Sequence, residues 1–248
     1  MSVPGIAFFD VDRTLLAVNS ATLWVKRELR AGKITRSQAL RAGMWVGAYS
    51  LGFARMDDVI RSAVAQLKGQ RERDIIDRTL AFWEEEVVQT LRPSARAAVR
   101  KHRAEGDLIF LLTSSSNYLS APLSDELKTD GFLANRFVVE NGVFTGDIVE
   151  PLCYGQGKLQ HAVAVAEKLR ISLSDCAFYT DSIADVSVLA AVGRPVVVDP
   201  DPRLLRLAHK RRWPVLRWES RAEMRNAAAA TGASRAPPTA IPPAPPPP

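Results

Sequence analysis

The chain has 248 residues and a mass of 27.2 kDa, with 47% hydrophobic and 24% charged residues. This balance is typical of a globular protein with one substantial core and a smaller module, and it argues against a wholly disordered chain. The formal charge of +6 favours anionic ligands such as a phosphorylated substrate, nucleic acid or an acidic membrane, without choosing among them.

The cysteine and histidine content indicates the compartment. Cys153 and Cys176 are too few for a disulfide framework, and the three histidines lack ligand-like spacing. We therefore expect a reducing, cytoplasmic location and no zinc site. We expect no secretion signal, because the chain reaches its first strand and its acidic pair within about ten residues. The apolar stretch from Met44 to Ala54 is shorter than the ~20 residues of a membrane span, so we expect it to be packed.

The first predicted strand, from Gly5 to Phe9, ends at two acidic residues. Because alternate side chains of an extended backbone point the same way, Asp10 and Asp12 should project together from the carboxyl end of this strand. Open α/β sheets bind their ligands there. One carboxylate can attack phosphorus and the other can transfer protons. An acidic turn or a helix cap is the alternative reading of this short motif.

A helical region follows, in which apolar residues recur at helical spacing. We predict about four helices: Ser20 to Ala31, Thr35 to about Tyr49, Asp57 to just before Gly69, and Glu72 to Val88. A further helix from Pro93 to Gly106 leads into a buried strand from Leu108 to Leu112.

Hydroxyl groups follow that second strand. Thr113 and Ser114 could bind a phosphate oxygen, and a helix cap is the more ordinary alternative. After a helix from Ser116 to Leu127, Asn141-Gly142 predicts a β-hairpin between Arg136 and Ile148.

A lysine and two more acids complete the candidate site. Lys158 stands at the head of a helix behind two glycines, where it could bind a phosphoryl group or simply be solvated. Asp181 ends a strand from Cys176 to Tyr179, and Asp185 lies four residues on, on the same side of the turn. Acids from both strands would repel one another without a cation, and hard oxygen ligands indicate Mg²⁺.

The remaining elements alternate as the earlier ones do. We predict a helix from Ile183 to Ala191, a strand from Pro195 to Val198 and a basic helix from Pro202 to Arg211. The pattern predicts an α/β fold with a doubly wound parallel sheet. We assign residues 1–16 and 93–218 to a catalytic core, 17–92 to a helical cap and 219–248 to an Ala/Pro-rich flexible tail.

The order of these motifs resembles the haloacid dehalogenase superfamily, in its phosphoserine-phosphatase-like branch with a small helical cap. The resemblance runs from Ile6 to about Leu216, with Asp10-Val11-Asp12-Arg13-Thr14, Thr113, Lys158, and Asp181 with Asp185 as its four motifs. It implies a Rossmann-like core and a Mg²⁺-dependent phosphomonoester hydrolase acting on a small phosphorylated substrate. It further implies residue roles: Asp10 as nucleophile, Asp12 as acid and base, Asp10, Asp12 and Asp181 as metal ligands, Asp185 as their support, and Thr113 and Lys158 as phosphate ligands. Ser114 is a further phosphate-binding candidate from its hydroxyl group alone.

Two departures from the family pattern bear on the substrate. Arg13 replaces the usual glycine of the first motif and could bring a cation near the substrate. Asn19 and Ala63 stand where phosphoserine phosphatases carry a glutamate and an arginine for the amino acid, although Arg61 is close to the second place. We therefore expect a substrate other than phosphoserine.

Several alternatives remain open at this level. The apolar residues of the second cap helix, such as Met44 and Trp45, could form a wall for a lipid phosphate such as lysophosphatidate, or could be ordinary helix packing. A phosphotransferase and a non-catalytic regulator that binds a phosphorylated ligand are the rival functions. The basic helix from Pro202 could contact an anionic membrane, and we expect no nucleic-acid partner. No oligomeric state is predicted.

Overall fold

The computed structural model describes residues 4–37, 40 and 56–231. Its strands are β1 (Ile6–Phe9), β2 (Leu108–Ser116), β3 (Gly131–Asn135), β4 (Phe137–Glu140), β5 (Val143–Ile148), β6 (Ala177–Thr180), β7 (Arg194–Val198) and β8 (Val215–Leu216). Six of them form one sheet in the order β3-β2-β1-β6-β7-β8, and β4 and β5 form a separate hairpin. Every neighbouring pair in the larger sheet is parallel. The predicted parallel α/β sheet is therefore confirmed.

Helices cover both faces of this sheet. The described helices are α1 (Ser20–Arg30), α2 (Met56–Ala65), α3 (Glu72–Phe82), α4 (Pro93–Ala104), α5 (Asn117–Leu127), α6 (Gln156–Leu169), α7 (Val186–Ala191), α8 (Pro202–Arg211) and α9 (Arg221–Thr231).

The central strand β1 is completely buried because apolar clusters lie on both of its faces. Phe9 packs on one side with Leu15 and Val99, and Phe8 packs on the other with Ala162 and Leu204. This two-sided burial explains why the strand reads as a continuous apolar run rather than an alternating one. It also fixes the carboxyl end of β1 at the centre of the sheet edge.

The helical insert leaves and re-enters the sheet through two paired segments. Leu16 and Leu91 form an antiparallel bridge, the Ala17 N–H donates to Thr90 O at 2.8 Å, and the Arg92 N–H donates to Leu15 O at 3.0 Å. The insert is thus attached beside the acidic turn. The division into core, cap and tail stays a prediction.

The predicted hairpin is present and packs on the insert. The Gly69 N–H donates to Phe144 O, and the Glu72 N–H donates to Gly142 O, each at 2.9 Å. The Tyr118 hydroxyl, at the start of α5, donates to Glu72 Oε1 at 2.8 Å. These bonds connect the insert to the hairpin and to α5.

Some elements differ from the sequence predictions. The strands β3 and β8 were not predicted, and β2 continues to Ser116 rather than ending at Leu112. Part of the expected flexible tail is helical in α9, where a run of alanines has high helix propensity. Residues 232–248 lie outside the described part of the chain, as do most of the predicted helix from Thr35 to Tyr49 and the apolar wall around Met44. Among the described helices, none has the length and hydropathy to cross a membrane.

Candidate active site

The acidic turn begins where β1 ends. The Asp10 N–H still donates to Tyr179 O of β6 at 2.9 Å, so Asp10 leaves the sheet in register. The chain then turns tightly over Val11–Leu15, with Arg13 in the left-handed region at φ 60°. The Asp12 carboxylate accepts from the Ser20 N–H at 2.8 Å, at the beginning of α1. Asp10 is buried and Asp12 half-buried, so the turn presents both carboxylates at the carboxyl edge of the sheet.

Lys158 is brought to this turn from the other side of the sheet. Its ammonium nitrogen lies 2.7 Å from Asp10 Oδ1 and 2.9 Å from Asp185 Oδ2, and its side chain is only 2% exposed. The approach of the chain requires Gly157, because a Cβ there would lie 1.8 Å from Leu152 O. Gly155, at φ 51°, is the N-cap residue immediately before α6.

The acids after β6 have different partners. Asp185 accepts from the Thr180 hydroxyl at 2.7 Å as well as from Lys158, so it orients the lysine. Asp181 accepts from the Thr14 hydroxyl at 3.4 Å, and its carbonyl accepts from the Asp201 N–H at 2.9 Å. Thr14 and Thr180 were not assigned roles from the sequence, although both lie within the two acidic motifs.

The electrostatics of this cluster favour binding of a cation. Burial raises the pKa of Asp10 to about 8, the charges of Asp185 and Asp181 add to the rise, and Lys158 opposes it. Burial also raises the pKa of Asp181 to about 7, with Arg13 and Lys158 opposing. Three buried carboxylates thus face one buried ammonium group. Carboxylate oxygens of this kind suit Mg²⁺, which would favour their ionised forms.

Thr113 and Ser114 lie at the same edge, near the end of β2. Thr113 is buried, and its hydroxyl oxygen accepts from the Ser115 N–H at 3.1 Å, which leaves the hydroxyl hydrogen to donate elsewhere. The Ser114 carbonyl accepts from Asn135 Nδ2 at 2.7 Å, and Asn135 Oδ1 accepts from the Cys153 N–H at 2.8 Å. Asn135 therefore joins the segments that carry Thr113 and Lys158. It lies on the unpredicted strand β3, so no sequence signal was available for it.

Comparison with known proteins agrees with this geometry. The family model of haloacid dehalogenase-like hydrolases matches residues 7–190. The chain belongs to this family. The prediction from the sequence that the protein is a phosphatase is confirmed, because several of its relatives are named phosphatases.

Three similar proteins illustrate the relationship. The chain is 31% identical over 217 residues to an inhibition of morphological differentiation protein from Streptomyces azureus, covering 85% of this chain and 77% of that one. It is 28% identical over 220 residues to a phosphoserine phosphatase from Mycobacterium tuberculosis, covering 87% and 71% respectively. The crystal structure of a protein of unknown function from Bordetella pertussis Tohama I has a TM-score of 0.80 at 26% identity, covering 87% of this chain and 99% of that one.

The remaining candidates of this haloacid dehalogenase-like hydrolase have other contacts. Asn19 Oδ1 accepts from the Thr22 N–H at 2.9 Å and so caps α1. Arg61 pairs with Glu150 at 2.6 Å, and both side chains are about half exposed. None of these contacts joins Arg61 to the buried carboxylates. Arg13 is exposed. Its charge opposes the rise in the pKa of Asp181, although no hydrogen bond joins these two side chains in the described part of the chain.

A second group of potential ligand residues lies at the opposite edge of the sheet of this hydrolase. Side-chain ligand atoms of His102, Glu105 and Asp107 all lie within 4.8 Å of one another. Both ring nitrogens of His102 are engaged, at 2.7 Å from Asp107 Oδ2 and 2.9 Å from the Tyr179 hydroxyl. Asp107 also accepts from the Gly5 N–H at 2.8 Å. His102 and Asp107 therefore form a buried hydrogen-bond network that joins the end of α4 to β6 and to the residue before β1, while Glu105 is exposed.

Proposed function

We propose that the protein is a Mg²⁺-dependent phosphatase that hydrolyses a small phosphomonoester through an aspartyl phosphate on Asp10. The observation that carries this proposal is the pairing of Lys158 with both Asp10 and Asp185 inside a buried cluster that also contains Asp181. A nucleophilic carboxylate, a cation for the phosphoryl group and an excess of acidic ligands occur there together.

In the first step, a carboxylate oxygen of Asp10 attacks phosphorus, and the bond from phosphorus to the leaving oxygen breaks. Asp12 donates its proton to that oxygen. Burial raises the pKa of Asp12, opposed by hydrogen bonding with Ser20, and so favours the protonated form that this step needs. Lys158, which already contacts Asp10, and the Thr113 hydroxyl near the end of β2 bind the phosphoryl oxygens.

In the second step, water attacks the phosphorus of the aspartyl phosphate. The ionised Asp12 takes a proton from this water, the bond from phosphorus to the Asp10 oxygen breaks, and inorganic phosphate is released. Both side chains return to their starting protonation states. Asp185 and Thr180 keep Lys158 in place throughout.

The metal would be held by the Asp10 and Asp181 carboxylates and the Asp12 backbone carbonyl. When bound, Mg²⁺ supplies positive charge to the phosphoryl oxygens and to the carboxylates around it. The donor set fits, because Asp181 has no partner stronger than the Thr14 hydroxyl at 3.4 Å among the described side chains.

We do not assign phosphoserine as the substrate. The place of an acidic group for the amino acid is taken by Asn19, whose side-chain oxygen caps α1. Both cysteines are free and buried, which supports the proposed reducing cytoplasm. Peripheral contact with an anionic membrane through α8 also stays a prediction.

The test is phosphate release from an aryl phosphate by the full chain. Release should require Mg²⁺ and stop with EDTA. Asp10→Asn should abolish it, because an amide is a poor nucleophile. Asp58→Asn changes an exposed aspartate of α2 and should retain wild-type turnover. Release without a divalent metal, or turnover by Asp10→Asn, would refute the proposal.

A further inference from the structure

A cavity of about 480 Å³ opens beside the acidic turn. Its walls come from the turn, the first turns of α1, the second attachment segment of the insert, the loop after β7 and the beginning of α9. We propose, on the basis of the proposed function, that this cavity binds a second anionic group on the leaving group of the substrate. Its positively charged lining residues are Arg13, Lys26, Arg92 and Arg221.

Arg13 connects this cavity to the reacting atoms. It follows Asp12, the residue that would protonate the leaving oxygen, so a leaving group beside Asp12 has Arg13 next to it. Arg13 also lines the cavity, so this one residue borders both Asp12 in the chain and the cavity wall. Within residues 4–37, 40 and 56–231, its side chain forms no hydrogen bond or ion pair. The guanidinium N–H groups of Arg13 are therefore able to donate hydrogen bonds to a ligand.

Arg92 supplies an independent observation on the far wall. Its side chain is buried, and one end pairs with Asp199. Its Nε is also buried but has no hydrogen-bond partner in the described part of the chain. Arg92 therefore adds a further guanidinium to the wall of the cavity, with an N–H group that no described residue accepts from.

The single acidic residue of the cavity wall does not neutralise these cations. Asp199 accepts from Arg92 and, at 3.2 Å, from the Trp218 N–H. Lys26 and Arg221 are exposed, and neither side chain has an acidic partner among the residues that the structure describes. The cavity therefore keeps a net positive charge, which suits a carboxylate or a second phosphate rather than a neutral or cationic arm.

Binding of matched phosphonates tests this inference. We suggest calorimetry of the full chain with Mg²⁺ and two pairs of ligands: 3-phosphonopropionate with propylphosphonate, and 4-phosphonobutyrate with butylphosphonate. Within each pair, only a terminal carboxylate replaces a methyl group. In at least one pair, the carboxylate form should bind at least about tenfold more tightly, as expected for a charge-assisted hydrogen bond.

Substitutions of the lining residues test which side chains favour the ligand that carries the carboxylate. Arg13→Gln and Arg13→Gly both remove the charge, and each should bring the affinity ratio to near one. Only the glycine relieves the left-handed backbone, so equal loss in both variants shows that folding is not the cause. Lys26→Gln should lower the ratio. Arg30→Gln removes a charge from the same helix, but Arg30 pairs with Glu86, so the ratio should be unchanged.

Equal binding of both members in both pairs, or an unchanged ratio in Arg13→Gln, would overturn the inference. Hydrolysis of an aryl phosphate by the same preparation distinguishes failure of the anionic subsite from failure of the proposed phosphatase mechanism. If hydrolysis is present, such a result removes the anionic subsite alone; if hydrolysis is absent, it contradicts the phosphatase mechanism as well.

Discussion

The ammonium group of Lys158 lies 2.7 Å from the carboxylate of Asp10, within a cluster closed to solvent. The same ammonium group is shared with Asp185 at 2.9 Å, so one cation serves two acids. Removing it should therefore affect both the stability of the fold and the reaction, and the two effects can be separated.

Lys158→Met should lower phosphate release by on the order of 100-fold, because the phosphoryl group loses a positioned cation. It should also lower the free energy of unfolding by about 3 kcal/mol, since two buried carboxylates lose their partner. Adding Asp185→Asn should recover part of that stability but not the activity. Urea denaturation and the aryl phosphate assay measure the two effects, with Lys168→Met, an exposed lysine at the end of α6, as the control. A stable and fully active Lys158→Met would contradict the role of the pair.

Asn135→Leu should destabilise the site without removing any group that touches phosphate. The change leaves the Ser114 carbonyl and the Cys153 N–H without their partners, at a cost of about 2 kcal/mol. Because these segments carry Thr113 and Lys158, the KM for the aryl phosphate should rise along with the loss of stability. Asn226→Leu, at an exposed position of α9, is the control. Wild-type stability and KM in Asn135→Leu would show that the two segments are positioned by other contacts.

The sequence was sufficient for the strands that local patterns encode and for the edge of the sheet where the candidate site residues lie. The apolar runs before Asp10 and Asp181 predict strands, and the strand ends gather both acids, as the structure shows. Other features depend on tertiary contacts. Asn135 lies at the end of a five-residue strand whose only described neighbour is β2, and its two hydrogen bonds join segments distant in the sequence.

The role of Asp185 likewise depends on tertiary contacts that a local sequence pattern does not encode. Its spacing from Asp181 indicates a metal site, yet the structure pairs it with Lys158 and Thr180. No periodic pattern encodes a hydrogen bond between two separate helix beginnings. The helix α9 is a different case, because the proline-rich composition after it obscured a run of good helix formers.

Gly157→Ala should impair catalysis although it adds only one methyl group. The Cβ would lie 1.8 Å from Leu152 O, so the backbone before α6 must move and Lys158 moves with it. We expect kcat to fall at least about tenfold, because small displacements of a positioned group are costly. Gly142→Ala, in the hairpin turn, is the control: no atom crowds the added Cβ, but the φ of 75° strains alanine, so stability should fall while kcat stays unchanged. An unchanged kcat in Gly157→Ala would contradict the close approach.

Asp107 should stabilise the fold at neutral pH and lose this effect in acid. Burial would raise the pKa of Asp107, but hydrogen bonds from His102, Gly5 and Arg194 lower it overall. A carboxyl group whose pKa is lower in the folded chain contributes fully above its unfolded value of about 4, and the contribution disappears as the pH falls through the folded value.

The difference in unfolding free energy between the wild type and Asp107→Asn should therefore be about 1–3 kcal/mol near neutral pH and should shrink below about pH 4. Urea denaturation across this range measures it. Asp77→Asn, which removes an exposed ion pair with Arg73, should change stability by at most about 0.5 kcal/mol. A difference that grows toward acid would contradict the direction of the shift.

The most direct measurement of the mechanism is the site of covalent phosphorylation during turnover. The full chain with Mg²⁺ and an aryl phosphate would be quenched in acid, which preserves acyl phosphates, and its peptides mapped by mass spectrometry. The account predicts one phosphoryl group on the peptide that contains Asp10, absent in Asp10→Asn and retained in Asp58→Asn. A phosphoryl group on another residue, or its persistence in Asp10→Asn, would contradict it.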